Sequence, residues 1–463
     1  MRLPLWSDAG VFFNARWPCV AVLVALYCTA FPERVLRAQG VEVEAASGQT
    51  QDDFSAPNSS LLQPDPDLEP SLPLPEGPQV ITSPDQEVRE VSSMPRRFRY
   101  QLKVNLRGVY DDNVTLSHDN PRQDFYGQLA SEITLGFGDA IGHQEHYVLL
   151  KYSPSAYFFV DNSELNSVEH IVRLEGQWSL SRLALTFSQD IRSVESSNLD
   201  VATTTGGFVN QINLDVGGRR RLNSYSTRLD AGYALTGKIV LRAGMDYSLT
   251  DYQDLIGSET VSGTIGINYT YSPKLQLGLE LHAGNNYVDA PSPDQTFEQV
   301  NLRSDYELSG KLRANGSLGV EFRQSEVGTN SNVSPIFQIG LVYQPFDGTE
   351  ININTTRQTF NSATLAGQDF ASTQFVFSAR QRFFQRVFVN VVTGYQNQTY
   401  FSALSGLDSE REDNYYFITL GFDVKITNFW FGGVNFSHRV NDSSFTNLGF
   451  DDDQVGAHSA FTF

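Results

Sequence analysis

Cysteine is nearly absent. The 463-residue chain holds two, Cys19 and Cys28, both close to its N-terminus. The rest of the chain has no thiol, so neither a disulfide framework nor a cysteine metal site is available there. Long apolar runs are missing too. Beyond the N-terminal stretch there is no window of about 20 apolar residues, which excludes a bundle of membrane-spanning helices. Basic charge is scarce, with 33 Lys and Arg against 53 Asp and Glu. The net charge of −20 argues against nucleic acid as a partner.

What is present is alternation. In KLQLGLELHAG (274–284), Leu275, Leu277, Leu279, Leu281 and Ala283 take every second position, with Gln276, Gly278, Glu280, His282 and Gly284 between them. A period of two places successive side chains on opposite faces of a strand and cannot form the stripe of an amphipathic helix. This segment therefore reads as a strand with one apolar and one wet face. The same alternation begins at Phe98 and returns to Phe463, for example at Ile133/Leu135/Phe137, Leu183/Leu185/Phe187, Ile265/Ile267/Tyr269 and Ile418/Leu420/Phe422.

The chain before Phe98 has a different texture. Arg16 precedes an apolar run from Val20 to Tyr27 and the small residues Cys28, Thr29 and Ala30, which reads as a secretory signal peptide within 1–39, cleaved near residue 30 or 39. Tyr27 before Cys28 does not suit a lipoprotein signal. Residues 40–97 are rich in Pro and Ser and carry eleven acidic side chains against three arginines. With so little apolar surface to offset the entropy of ordering, this segment is expected to be a disordered periplasmic tail. The folded domain is expected over 98–463.

The connections between strands alternate in length. Tight links at 138–143, 180–183, 236–238, 272–274, 309–311, 345–349, 383–386 and 425–428 are interleaved with longer polar ones such as 111–123, 161–167, 196–220, 289–295, 325–332 and 402–413. Short turns at one end and long loops at the other mark an all-β, up-and-down antiparallel transmembrane barrel. The eight tight links join sixteen strands. A first strand at 99–110 and a last at 453–463 bring the expectation to about 18, within a range of 16–18. Many runs hold the alternation for 10 to 14 residues, enough to cross an apolar band of roughly 25 Å at a tilt. Aromatic belts are expected at Trp178, Tyr269, Tyr271, Tyr343, Phe383, Phe429 and Trp430 near the tight turns, and at Tyr110, Tyr252, Tyr287, Tyr400, Tyr415 and Tyr416 toward the long loops.

The final QVGAHSAFTF ends on Phe463, with Phe461 two residues before it. It resembles the C-terminal signal by which outer-membrane proteins reach their insertion machinery, although His458 stands where that pattern usually has glycine. The segment LRGVYDDNVTLS (106–117) resembles the opening of the β-barrel porin type 2 family, Gram-negative outer-membrane barrels of which some accompany exopolysaccharide gene clusters. The resemblance implies location and shape over about 98–463 and says less about substrate.

Inward positions of the alternation carry both signs. Lys103, Arg107, Arg173, Arg228, Arg242, Arg303, Arg313 and Arg323 are set against Glu132, Glu175, Asp230, Asp246, Glu280, Asp305, Glu307 and Glu321. They are candidates to line a pore, either as charged ladders that orient solutes or as cross-strand ion pairs that stiffen a wet wall. Acidic clusters at Asp111-Asp112, Glu410/Glu412/Asp413 and Asp451-Asp452-Asp453 fall on expected outer loops. They suit calcium in donor type but lack the twelve-residue loop pattern, so they read as solvated loops. His143 and His146 flank Glu145, too few ligands for a metal site. His438 near Ser443 would need hydrogen-bond reach and an orienting third group to act as an outer-membrane lipase. The leading expectation is a non-enzymatic, cofactor-free, porin-like channel in the Gram-negative outer membrane. Its expected partners are outer-membrane lipids, lipopolysaccharide, the insertion machinery and a periplasmic partner of the tail. The second is a barrel serving exopolysaccharide export or a surface role. Oligomeric state, solute and gating are left open.

Overall fold

The computed structural model describes residues 98–138, 146–195, 213–326, 331–402 and 411–463. The segments expected to be a signal peptide and an acidic tail, together with His143, Glu145 and Glu410, lie outside the described residues. The strands are β1 (Phe98–Asp111), β2 (Asp124–Gly138), β3 (His146–Phe159), β4 (Ser167–Ser179), β5 (Leu183–Val194), β6 (Leu222–Ala234), β7 (Ile239–Tyr252), β8 (Ser258–Ser272) and β9 (Leu275–Val288). They continue as β10 (Gln295–Ser309), β11 (Leu312–Ser325), β12 (Ser331–Tyr343), β13 (Thr349–Asn361), β14 (Gln368–Phe383), β15 (Val387–Ser402), β16 (Glu412–Lys425), β17 (Trp430–Ser443) and β18 (Phe450–Thr462). Each pairs antiparallel with its chain neighbours, and β1 pairs with β18 through nine residue pairs. Reciprocal backbone bonds between Leu102 and Phe463 extend that closure. The result is a closed up-and-down barrel of 18 strands, the one sheet form that leaves no unpaired edge facing lipid.

The alternation sorts the side chains as a bilayer requires. Leu277, Leu279 and Leu281 of β9 are 37–50% exposed on the outer face, while Glu280 between them faces inward and is 15% exposed. At the turn between β14 and β15, Phe384 and Gln385 take positive φ of 49° and 63°, and Arg386 N–H bonds back to the Phe383 carbonyl. Two consecutive left-handed residues make the hairpin turn whose twist matches paired strands.

Two expectations are corrected. β18 starts at Phe450 rather than 453, so Asp451, Asp452 and Asp453 stand on a strand and not in a loop. Of the six tyrosines assigned to a belt at the long loops, Tyr110, Tyr287 and Tyr416 are exposed on the outer face, but Tyr252, Tyr400 and Tyr415 are buried inside the barrel. They turn inward because chain from the long loops enters the lumen and needs partners there.

Candidate functional site: the lumen

Three segments occupy the loop-side half of the interior. After β1, Val114 and Leu116 drop inward. Val114 packs with Val109, Tyr126, Tyr157 and Phe159, and Leu116 with Tyr415, Phe417 and Phe450. Asn113 fixes this turn by donating from Nδ2 to the Asp451 carbonyl at 2.9 Å. The second segment precedes β6. Leu214 joins the Leu116 cluster and Val216 packs on Tyr252 and Ala363. Arg219 donates to the Leu165 carbonyl at 3.0 Å and stacks over Phe159 at 4.8 Å. Burial lowers its guanidinium pKa from the ordinary value.

The third segment is the tip of the β13–β14 hairpin, and Asp215 joins it to the second. The Asp215 carboxylate, fully buried, accepts from Ser362 Oγ at 2.7 Å, Ala363 N at 2.6 Å, Thr364 Oγ1 at 2.9 Å and Tyr400 Oη at 3.0 Å. Arg411 reaches Asp215 at 3.5 Å, Asp413 at 2.9 Å and the Leu214 carbonyl at 2.7 Å, with its guanidinium 4.4 Å above the Tyr400 ring. A charge cluster this dry is tolerated only because nearly every lone pair and proton is engaged. Arg439 forms a second buried pair with Asp452, next to Asp111.

The acidic residues read as solvated loop are therefore partly interior. Asp111 and Asp452 are 0% exposed, and with Asp112 they bring carboxylate oxygens within 4.8 Å of one another. Each has a protein donor: Gln454 Nε2 to Asp111 at 2.8 Å, Asp453 N to Asp112 at 2.8 Å, and Arg439 to Asp452. Burial raises the Asp112 carboxyl above its usual range, with further push from Asp452, Asp453 and Asp451. Asp413 is buried as well, while Glu412 accepts from Asn397 at an exposed rim.

Most of the charged residues marked from the sequence meet an opposite charge. Lys103 pairs with Glu132 at 3.2 Å, Arg303 with Glu280 at 3.0 Å and Arg323 with Glu321 at 2.9 Å. Arg228 meets Asp246, and Arg173 meets Glu175 and, at 3.9 Å, Asp190. Glu307 and Arg313 face each other across β10 and β11, and Arg107 is 4% exposed on β1. Asp230, Arg242 and Asp305 join Arg228 and Glu280 around one recess of about 250 Å³. His282, edge-on to Phe297, lies in the same recess.

The histidine readings resolve simply. His438 and Ser443 stand five positions apart on β17, which puts them on opposite faces of the wall. His438 pairs instead with Asp453 at 2.9 Å. His146 accepts from the Ser179 amide at 3.2 Å. Sequence reasoning missed Asp215, Arg411 and Arg439. Arg439 was readable, since Val434 and Phe436 put it on the inner face, whereas Asp215 lies in a stretch with no period to follow.

No protein-family model matches the chain, and no curated protein matches it. Among solved structures, the barrel is similar to the outer membrane protein OpdK of Pseudomonas aeruginosa, with a TM-score of 0.41 and 13% identity over 79% of this chain and 98% of that one. It is also similar to OccAB3 of Acinetobacter baumannii, at a TM-score of 0.44 and 10% identity over 79% and 99% of the two chains. OccAB4 of the same organism aligns at a TM-score of 0.42 and 9% identity over 82% and 100%.

Proposed function

We propose that the chain is a diffusion channel for small hydrophilic solutes in the Gram-negative outer membrane. The observation that carries this reading is the recess on the inner wall. It is bordered by five arginines (Arg228, Arg242, Arg303, Arg323 and Arg357) and five carboxylates (Asp230, Asp246, Glu280, Asp305 and Glu321), with Asn, Gln, Ser and Thr side chains between them. A wall so balanced attracts neither sign of ion strongly and offers hydrogen bonds to an uncharged solute. The polar inner face inside an apolar outer one supports a wet path across the bilayer. Phe461 stacks on Trp430 and Phe463 on Phe429 between the end of β18 and the start of β17, which supports their reading as the insertion signal.

The test is single-channel recording of the refolded full chain in planar bilayers, with a salt gradient across the membrane. Steady open steps with a reversal potential near zero are expected. A folded, heat-modifiable barrel that stays silent overturns the channel reading.

A further inference from the structure

Among the described residues, the longest break in the strand pairing lies between β12 and β13. β12 and β13 pair over seven residues only, from Phe337 opposite Arg357 to Tyr343 opposite Ile351. Continuing the register would pair Ile336 with Gln358, Pro335 with Thr359, Ser334 with Phe360 and Val333 with Asn361, and none of these pairs forms. Both strands stay regular on their other sides. β12 remains paired to β11 as far as Ser331, and β13 to β14 as far as Asn361. The β12–β13 seam therefore opens toward the loops, and the loop-side end of the β13–β14 hairpin, still paired to β15 as far as Gln368 opposite Ser402, curves in over the lumen. There Arg323 of β11 donates to the Thr359 carbonyl at 3.1 Å, Asn286 and Ser258 donate to Asn361, and Gln295 donates to Asp369.

The opening leaves a recess of about 430 Å³ between Ser331–Pro335 on one side and Arg357, Asp369, Ala371, Thr399 and Phe401 on the other. Its size is in the range of clefts that take one small ligand. The recess shares Arg323 and Arg357 with the recess inside the barrel, so the gap lies directly beside the lumen. Its outer flank is apolar. Val320, Phe322 and Val333 are 38–56% exposed there, so the gap opens on the outer, membrane-facing side of the wall near its loop end. Unpaired backbone groups at that depth are costly, and Pro335 reduces the cost by bringing no N–H.

Arg323 is committed to Glu321, but Arg357 has no carboxylate within ion-pair distance among the described residues and donates only to Thr373 Oγ1. The lining is mostly polar, with Val333, Pro335, Ala371 and Phe401 as its apolar members. An Arg fork beside such an apolar strip recognises an oxyanion that carries a tail, and its two parallel donors match a carboxylate. We propose that the open β12–β13 seam is a lateral port for a single-chain amphiphile with a carboxylate head. Its head sits on Arg357 and its tail lies along Val333 toward the lipid.

The test uses the full chain in phosphatidylcholine vesicles with radiolabelled laurate as the probe. A photoreactive benzoylphenylalanine replaces Val333 in one sample and Val434, an exposed residue on the fully paired β16–β17–β18 wall, in another. Labelling at 333 that greatly exceeds labelling at 434 is expected. Arg357→Gln should weaken it roughly tenfold, the size of one charge-assisted contact, and Arg357→Lys should restore part of the loss. Equal labelling at both positions, or indifference to Arg357→Gln, overturns the port. Labelling that a single-chain phosphate, lysophosphatidate, displaces as well as laurate does overturns the carboxylate assignment. A measurement without any variant stands beside these. Laurate should slow amide exchange in 331–336 and 358–361, and unchanged exchange counts against the port. Ion conductance recorded on the same preparation is a separate readout, so failure of the port and failure of the channel reading remain distinguishable.

Discussion

The Arg323 guanidinium donates to the Thr359 carbonyl at 3.1 Å although β12 stands between their strands in the wall. The bond spans a chord of the barrel instead of following its circumference. It holds the β13–β14 hairpin across the lumen, so the degree of constriction depends on a few polar contacts. Arg323→Ala is expected to raise single-channel conductance while the barrel keeps its heat-modifiable folded form. Unchanged conductance would show that the hairpin is held elsewhere.

Asp215 is the second anchor. Asp215→Ala removes the four hydrogen bonds donated by Ser362, Ala363, Thr364 and Tyr400 and leaves Asp413 as the carboxylate paired with Arg411. Breaking a buried charge cluster by deleting one member costs on the order of 3–5 kcal/mol. That cost falls on docking of the 213–218 segment, since no backbone pair of the wall depends on Asp215. The variant should be cut by added protease in this segment at a rate well above that of the parent, with little change in global unfolding temperature.

The two faces of β9 give opposite predictions for neighbouring residues. Leu279→Arg places a charge against lipid tails and should destabilise the refolded barrel by about 2–4 kcal/mol. Glu280→Gln leaves the fold in place and removes the partner of Arg303. The reversal potential in a salt gradient should then move toward anion preference.

The turn at Phe384-Gln385 keeps two side chains in left-handed backbone, with Phe384 92% exposed. Replacing the pair with Asn-Gly relieves about 1 kcal/mol or more of steric cost per residue. The midpoint of urea unfolding should rise, and a fall would contradict the assigned turn.

Acid should tighten the rim where β1 meets β18. The Asp112 carboxyl is raised by burial, so its neutral form is favoured in the fold. Its stabilising contribution is fully present below the unfolded carboxyl value of about 3.9 and is lost as pH rises through the raised folded value. Asp112→Asn, neutral at every pH, should flatten the decline in thermal stability between about pH 4 and 7. An unchanged pH profile would remove Asp112 from the account.

Strand number, strand order and the outward face were legible in the sequence because each rests on a local rule. Period-two patterning fixes the faces, and eight tight turns such as SPK (272–274) fix the count. The inside was less legible. Tyr252, Tyr400 and Tyr415 sit near strand ends where belt aromatics also sit, and only the fate of the neighbouring loop decides which way they point. Asp451 to Asp453 looked like loop because three successive acids rarely favour a strand. Pairing with β17 overrides that propensity. The gap beside β13 had one local sign, Pro335, but its cause lies in contacts that the hairpin makes up to 149 residues away in the chain.

Because β1 and β18 are neighbours, the order in which the strands are synthesised leaves no trace in the finished ring. Joining Phe463 to Phe98 by a short linker and opening the chain at the exposed Phe346 turn would preserve every strand pair. Such a circularly permuted barrel would begin with β13, the strand that borders the open seam. It would separate the information that closes the cylinder from the information that starts its assembly.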